Sequence, residues 1–281
     1  MNIIFFGTPD VATIVLDTLV EHDMVPSLII TAPDKPSGRG LTLEASPVAV
    51  WAQAHNIECY KPTNLKTDEV VTKIAQAQAD VAVVFAYGKI IPASILSLPK
   101  YGMVNIHPSL LPLHRGPAPV EGALLAGDNE TGVSVMLLDD QMDHGPILVQ
   151  EKVQIEATST AHELLQNLVR RGAENLVKIL PDFIAGTIKK TEQDHTKATY
   201  TKKISKADGE ILLSDIEKNP ASVFAKFRAY ADWPTIYYFE PGGARIIITK
   251  AHMHDGVCSI DMVKPEGKRD MPYADYIRNK K

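Results

Sequence analysis

The first half of the chain alternates short apolar runs with longer segments of helical character. The runs are rich in β-branched and large apolar residues, and they comprise residues 3–6, 27–31, 81–86, 103–106 and 133–138. Strands that crossover helices bury on both faces have this continuous apolar composition. The sequence therefore predicts an α/β domain built on a doubly wound, mostly parallel, Rossmann-like sheet.

Helix-start signals support the segments predicted between the strands. Ser46-Pro47 reads as an N-cap followed by a first-turn proline, and Thr160 followed by Glu163 reads as a capping box. Beyond the capping box, apolar residues recur at i, i+3 and i+4 spacing: Leu164, Leu165, Leu168, Val169, Ala173, Leu176, Val177 and Leu180. This spacing predicts a helix with one face buried in the core.

The pattern changes after residue 187. Residues 188–205 are polar and lack helical periodicity, which favours a linker, and short apolar runs separated by Pro-Gly-Gly and His-Asp-Gly follow it. We therefore predict a first domain of residues 1–187, a linker of residues 188–205 and a small β-rich domain of residues 206–281. Residues 1–187 carry a formal charge of −9 and the remainder carries +4, an asymmetry that indicates a polyanionic partner for the second domain.

Composition also bears on the compartment. No apolar run approaches the roughly 18 residues of a membrane span, and no basic segment precedes the first apolar run as in a signal peptide. Cys59 and Cys258 lie far apart and form no paired motif, which favours free thiols. We therefore expect a cytoplasmic protein without a membrane partner.

The segment 103–119 places an amide and an imidazole at the end of a predicted strand. Side chains two residues apart on a strand share a face, so Asn105 and His107 are expected to point the same way. Ligands of open parallel sheets bind at the carboxyl ends of the strands. An amide that donates to an oxyanion, beside an imidazole that transfers a proton near neutral pH, suits acyl transfer. A structural Asn and His at a strand end is the alternative.

An acidic segment, Leu-Asp-Asp-Gln-Met-Asp-His-Gly, strengthens the functional interpretation. It follows the last predicted strand, so we expect it at the same edge of the sheet, where a carboxylate can orient His107 and support its charged form. The spacing does not choose among Asp139, Asp140 and Asp143. Metal binding by this segment with a neighbouring histidine is an alternative, but no zinc-type spacing supports it, and we expect no metal.

The chain offers no obvious covalent nucleophile and no dinucleotide motif. It lacks a Gly-x-Ser-x-Gly elbow, which favours direct transfer over a covalent intermediate. It also lacks GxGxxG after the first strand. The long loop of residues 32–47 carries the cations Lys35 and Arg39, and either a substrate-contacting loop or a mobile connector fits its length.

The motifs Asn-Ile-His-Pro-Ser-Leu-Leu-Pro, Arg-Gly and Asp-His-Gly together resemble the signature of the folate-dependent formyltransferases. The resemblance implies that Asn105, His107 and Asp143 are catalytic and surround the formyl group of 10-formyltetrahydrofolate. It also implies direct attack through a tetrahedral intermediate. The tetrahydrofolate pocket that it implies is lined by Ser109, Leu110, Leu111, Pro112, Phe85, Tyr87, Ile91 and Asp139.

Three further stretches are similar to the branch of this family that formylates the α-amino group of initiator methionyl-tRNA in translation initiation. They are FFGTPDVATIVLDTL, PDKPSGRG and ATYTKKISKADGEI. The resemblance implies tRNA contacts by Lys35 and Arg39, a second domain shaped as an oligonucleotide-binding-like barrel, and a monomer. Non-basic residues, Leu41–Glu44, follow Gly38-Arg39-Gly40, where the family often has basic ones, and Glu121 stands where the family often has glutamine. An amino-sugar nucleotide or ribonucleotide amine as the acceptor, and a catalytically idle RNA-binding module, are the alternatives.

Overall fold

The computed structural model describes residues 1–37 and 42–279. Within them the strands are β1 (Ile3–Gly7), β2 (Leu28–Ile30), β3 (Lys35–Ser37), β4 (Thr42–Glu44), β5 (Cys59–Tyr60), β6 (Val81–Phe85), β7 (Met103–His107), β8 (Glu130–Leu137), β9 (Ile147–Gln154), β10 (Ile236–Phe239), β11 (Arg245–His254), β12 (Val257–Pro265) and β13 (Met271–Pro272). The helices are α1 (Val11–Glu21), α2 (Pro47–Ala54), α3 (Asp68–Gln76), α4 (Ala93–Leu96), α5 (Pro119–Ala126), α6 (Ala161–Ile184), α7 (Asp215–Lys218), α8 (Pro220–Ala229) and α9 (Tyr273–Arg278).

These elements form two compact units. The first consists of Met1–Arg115, Gly132–Val153 and Gln166–Thr199. The second consists of Gly116–Thr131, Gln154–Leu165 and Tyr200–Lys281. The chain therefore passes between the units several times, whereas the limits expected from the sequence lie at residues 187 and 205. The division into domains of residues 1–187 and 206–281, joined by a linker, stays a prediction.

The first unit is built on a seven-stranded sheet with the order β5-β2-β1-β6-β7-β8-β9. Strand β1 pairs in parallel with β2 and β6, β2 with β5, and β6 with β7. Strand β8 runs antiparallel to β7. The predicted α/β architecture with a mostly parallel sheet is confirmed, and β8 makes the sheet mixed.

The direction of β8 corrects the route expected for the acidic segment that follows it. Leu137, at the end of β8, pairs with Val104 near the start of β7, so the segment leaves the sheet at the edge opposite to the one expected. A buried apolar run does not encode the direction of its strand, so the expected route of the segment was wrong, although Asp143 does reach His107. The segment then folds back towards the end of β8, where the N–H of Leu137 donates to the carbonyl of Pro146 at 3.0 Å.

The capping predictions for two helices are confirmed. The hydroxyl of Ser46 accepts from the N–H of Ala49 at 3.1 Å, with Pro47 in the first turn of α2. The N–H of Thr160 donates to the carboxylate of Glu163 at 2.9 Å, ahead of α6. Each of these side chains satisfies a backbone group that a helix start leaves without an intrahelical partner.

Helix α6 packs closely on the sheet of the first unit. The apolar face predicted for it is buried except at Leu165, and its buried members in this unit are Leu168, Val169, Ala173, Leu176, Val177 and Leu180. At Gly172, a Cβ would lie 2.5 Å from Cγ2 of Ile106 and 2.7 Å from Cγ2 of Val133. The helix backbone therefore lies against β7 and β8, on the face of β7 opposite to Asn105 and His107.

A buried apolar cluster fills the first unit between the sheet and helices α3 and α4. Each fully buried aliphatic side chain of this kind stabilises the fold by about 1.5–3 kcal/mol relative to exposure. The cluster consists of Ile4, Phe6, Leu28, Ile30, Leu65, Val70, Ile74, Ala79, Ala82, Val84, Tyr87, Ile95 and Met103.

The second unit contains a four-stranded antiparallel sheet with the order β10-β11-β12-β13. Helix α8 packs against β11, β12 and α5. The strands expected in the C-terminal region are therefore present, as β10, β11 and β12. Closure of this sheet into a barrel stays a prediction. None of the helices in the described ranges is both long and apolar enough to cross a membrane.

Candidate active site

Asn105 and His107 lie on one face of β7 at its carboxyl end, as their spacing predicts. Their exposed fractions are 9% and 5%. The parallel neighbour β6 places Val84 beside Asn105. No side chain or backbone group in the described ranges forms a hydrogen bond with the side-chain amide of Asn105. Its N–H groups can therefore donate to a group that enters at the ends of these strands.

Both ring nitrogens of His107 face oxygen atoms of the protein. Nε2 lies 3.0 Å from the carbonyl oxygen of His114. A carbonyl can only accept, so this partner assigns a proton to Nε2. Nδ1 lies 3.7 Å from Oδ1 of Asp143, which is too long for a direct hydrogen bond. In the neutral ring, Nδ1 carries the lone pair, and a proton gained there would face a carboxylate.

The three candidate aspartates have different surroundings. Asp143 lies beside His107, and its side chain is 15% exposed. Asp139 lies 2.7 Å from Nδ1 of His144 and accepts from the N–H of Gln141 at 2.9 Å, so its carboxylate holds the loop together. Asp140 is exposed. Geometry therefore favours Asp143 as the carboxylate that orients His107.

Part of the predicted folate pocket lies at the end of β6 and in the segment after it. Phe85 and Tyr87 are buried, and Ile91 packs partly buried against the same apolar cluster. Burial raises the pKa of Tyr87 to about 12, because the phenolate form loses its hydration. The Tyr87 hydroxyl is buried and has no hydrogen-bond partner within residues 1–37 and 42–279. The oxygen has almost no exposed surface, so a ligand would reach this donor only after a local movement of the chain.

The turn after β7 supplies the other predicted wall of the pocket. The hydroxyl of Ser109 donates to the carbonyl of Leu113 at 2.6 Å, and Ser134 donates to the carbonyl of Ser109 at 2.7 Å. The N–H of Leu111 donates to the hydroxyl of Ser134 at 3.2 Å. Ser109 and Leu111 are thus buried and fixed by β8, whereas Leu110 and Pro112 keep exposed surface.

Of the two cations expected to contact tRNA, Lys35 lies in β3. Lys35 is exposed and sits opposite Glu44 of β4. Arg39 lies outside the described residues. The structure therefore places Lys35 alone of this pair.

Sequence reasoning missed three residues that surround the acidic loop. Arg115 is 1% exposed, and its Nη2 donates to Oε1 of Gln193 at 2.6 Å and to Nδ1 of His195 at 2.9 Å. The ring of His195 stacks on that of His144, with 3.9 Å between centroids. Gln193 and His195 come from the polar segment expected as a linker, which carries no pattern that marks them. The Arg-Gly pair was recognised in the sequence, but it did not indicate which residues Arg115 contacts.

No group of three or more His, Cys, Asp or Glu side chains in the described part of the chain could hold a metal ion.

Comparisons with known proteins bear on the family of the chain. The chain matches the formyl transferase family over residues 1–180. A methionyl-tRNA formyltransferase of Chloroflexus aurantiacus is 44% identical over 254 residues, which cover 89% of this chain and 80% of that protein. The corresponding protein of Herpetosiphon aurantiacus is 37% identical and covers 100% of this chain and 98% of its own.

Solved structures show the same fold at low identity. A methionyl-tRNA formyltransferase from Clostridium thermocellum has a TM-score of 0.62 at 18% identity and covers 94% of this chain and 98% of its own. A 4-N formyltransferase from Francisella tularensis has a TM-score of 0.69 at 19% identity, with coverage of 89% and 97%. The family match over residues 1–180 and the sequence relatives show that the chain belongs to the formyl transferase family, in its methionyl-tRNA formyltransferase branch.

Proposed function

We propose that the protein transfers the formyl group of 10-formyltetrahydrofolate to the α-amino group of methionine on initiator tRNA. The observation that carries the proposal is the grouping of Asn105, His107 and Asp143 around the carboxyl end of β7. The supporting relatives are methionyl-tRNA formyltransferases that align along nearly the whole chain. A cytoplasmic monomer that acts in translation initiation is part of the proposal.

Asn105 stabilises the charge that develops on the formyl oxygen. When the neutral amine attacks the formyl carbon, that oxygen becomes an oxyanion, and an amide N–H aimed at it lowers the barrier. The side-chain amide of Asn105 is nearly buried and is not engaged by other described groups. It is therefore oriented by the strand and ready to donate without first breaking a protein hydrogen bond.

His107 moves the proton that the reaction has to transfer. Its Nε2 is held by the carbonyl of His114, so Nδ1 is the nitrogen that accepts a proton from the attacking amine. The imidazolium that forms faces Asp143 at 3.7 Å, and the carboxylate stabilises its charge. His107 then returns the proton to the departing folate nitrogen as its bond to the formyl carbon breaks. One N–C bond forms, one breaks, and no covalent enzyme intermediate is needed.

The donor is proposed to lie between the segment after β6 and the turn of residues 109–112. Phe85, Tyr87 and Ile91 are proposed as its apolar wall, in which a local movement would let a polar ring substituent satisfy the buried Tyr87 hydroxyl. The opposite wall is the turn that Ser134 fixes. Asp139 closes the pocket from the acidic loop.

The tRNA is proposed to contact Lys35, Arg39 and the basic C-terminal region. Residues 188–281 carry a formal charge of +4, and phosphate neutralisation by Lys and Arg supplies much of the affinity for nucleic acid. Under this proposal, residues 206–281 act as a barrel-like tRNA-binding domain.

The acceptor class is tested with radiolabelled 10-formyltetrahydrofolate and three acceptors: initiator methionyl-tRNA, the same tRNA without its amino acid, and a 4-amino-sugar nucleotide. The proposal expects label in the first acceptor alone. Label in the sugar nucleotide would keep the chemistry of the site but assign it to a different acceptor. Donor binding without any transfer would indicate an idle module.

A further inference from the structure

We propose that Gln193 is a positioning residue. It holds the turn of residues 143–145 (the Asp143 turn) so that the carboxylate of Asp143 faces His107. The inference rests on the proposed function, because it concerns the same reaction. The segment that contains Gln193 was expected to be a linker, and nothing in its sequence marks a role at the site.

The contacts of Gln193 use its whole side-chain amide. Nε2 donates to the carbonyl oxygens of Asp143 at 2.9 Å and Gly145 at 2.8 Å. Oε1 accepts from Nε of Arg115 at 3.2 Å and from its Nη2 at 2.6 Å. Gln193 is 5% exposed. One buried amide therefore clamps both ends of the three-residue turn that presents the carboxylate.

Arg115 makes the orientation of this amide unambiguous. A guanidinium can only donate, so Oε1 of Gln193 must face Arg115, and Nε2 must face the two carbonyls. The alternative orientation would oppose donor to donor and acceptor to acceptor. Charge-assisted hydrogen bonds are stronger than neutral ones, so Arg115 holds the amide firmly in the clamping orientation.

The Asp143 turn needs such a clamp. Asp143 has φ = 50°, a left-handed conformation that costs a non-glycine residue roughly 1–2 kcal/mol. Gly145 packs so closely on Leu137 that a Cβ would overlap its carbonyl oxygen. Without the two hydrogen bonds from Gln193, relief of this strain would move the carboxylate relative to His107.

The same network supports His107 from its other side. The carbonyl that accepts from Nε2 of His107 belongs to His114, the residue before Arg115 in the chain. Arg115 thus joins the partner of one ring nitrogen to the turn that faces the other. His195, two residues after Gln193, accepts from Arg115 and stacks on His144 in the turn. The imidazole is therefore aligned by one connected set of side chains within the first unit.

Two substitutions separate positioning from folding. Gln193→Glu keeps an acceptor for Arg115 but sets a carboxylate oxygen against the carbonyls of Asp143 and Gly145. Gln193→Met keeps the length and removes every polar contact. We expect kcat for formyl transfer to fall about 10- to 100-fold in both, the range that misplacement of catalytic groups on the order of 1 Å produces. The KM for 10-formyltetrahydrofolate should change by less than about threefold, because all the proposed donor-binding groups except Asp139 lie outside the acidic segment. Gln154→Met is the control, since Gln154 is exposed and bonds only Glu130 among the described residues.

Hydrogen exchange followed by mass spectrometry supplies a readout that needs no acceptor. In Gln193→Glu, exchange should accelerate in residues 139–146 and stay unchanged in α6. The proposal is overturned if exchange in residues 139–146 does not change, or if exchange accelerates throughout the first unit. It is also overturned if kcat stays within about twofold of the wild-type value, a difference too small for lost positioning. If the wild-type protein labels no methionyl-tRNA, the proposed function fails, while the exchange result still decides whether Gln193 clamps the turn.

Discussion

At the scale of single residues, Tyr87 is the most informative member of the donor site. Its buried hydroxyl lacks a partner in the described part of the protein, and an unsatisfied buried polar group costs about 1–3 kcal/mol. We predict that Tyr87→Phe leaves the free protein as stable as the wild type or more stable, while the KM for 10-formyltetrahydrofolate rises about 3- to 10-fold, the loss of one hydrogen bond. Thermal unfolding and steady-state kinetics measure the two effects. A lower Tm with an unchanged KM would show that the hydroxyl serves the fold and not the donor.

Glu121 allows a second test at this scale, based on pH. Burial raises the pKa of its carboxyl group above the ordinary value of 4.5, so the folded state binds the proton more tightly than the unfolded state. The free energy of unfolding therefore decreases as pH rises from that value through the folded pKa. Glu121→Gln removes this loss, because the amide stays neutral.

We therefore predict that Glu121→Gln has a higher Tm than the wild type at neutral pH and that the difference shrinks as the pH falls to about 4. Scanning calorimetry across this range measures it. A Tm difference that does not depend on pH would contradict the assignment, as would a variant that is less stable than the wild type at neutral pH.

At the scale of elements, the sequence predicted the strands of the first unit better than their directions. Apolar runs identified β1, β2, β6, β7 and β8 because burial on both faces selects such residues. The antiparallel direction of β8 left no trace in its composition. Gln193 was missed for a related reason, since its contact with Asp143 joins residues 50 positions apart in a polar segment without periodicity.

Helix α6 positions β7 through one close approach. A Cβ at Gly172 would press on Ile106 and Val133, whose β-branched side chains have little rotamer freedom. We predict that Gly172→Ala lowers the free energy of unfolding, because an overpacking cost of about 1–3 kcal/mol exceeds a helix-propensity gain of at most about 1 kcal/mol. Urea unfolding measures the change.

Gly242→Ala is the matched control, because no atom lies within 4 Å of a Cβ built at that position. It should leave stability nearly unchanged. Equal stability of the Gly172 and Gly242 variants would mean that α6 can shift without cost, and the close approach would then not hold β7 in place.

At the scale of the whole molecule, the candidate site residues on β7 were easier to predict than the division of the chain into two units. Asn105 and His107 lie two residues apart on one strand, so their common face followed from strand geometry. Asp143 was selected by the family resemblance, and the 3.7 Å distance to His107 is compatible with that choice. Gly116–Thr131 belongs to the second unit although segments of the first unit precede and follow it. No change in composition marks its ends, so the sequence did not predict this division.

Under the proposed function, Asn105 is the oxyanion donor in the formylation of methionyl-tRNA. This role is tested by the rate at which N-formylmethionyl-tRNA forms from initiator methionyl-tRNA in the wild type, Asn105→Ala and Asn175→Ala. Asn175 is the control, since it lies on α6 and donates to Glu151 at 2.7 Å. We predict that Asn105→Ala lowers kcat by about 10²-fold or more, the loss of one oxyanion donor, with little change in KM, while Asn175→Ala keeps the wild-type rate. A wild-type kcat in Asn105→Ala, or a wild-type protein that forms no product, would contradict the account.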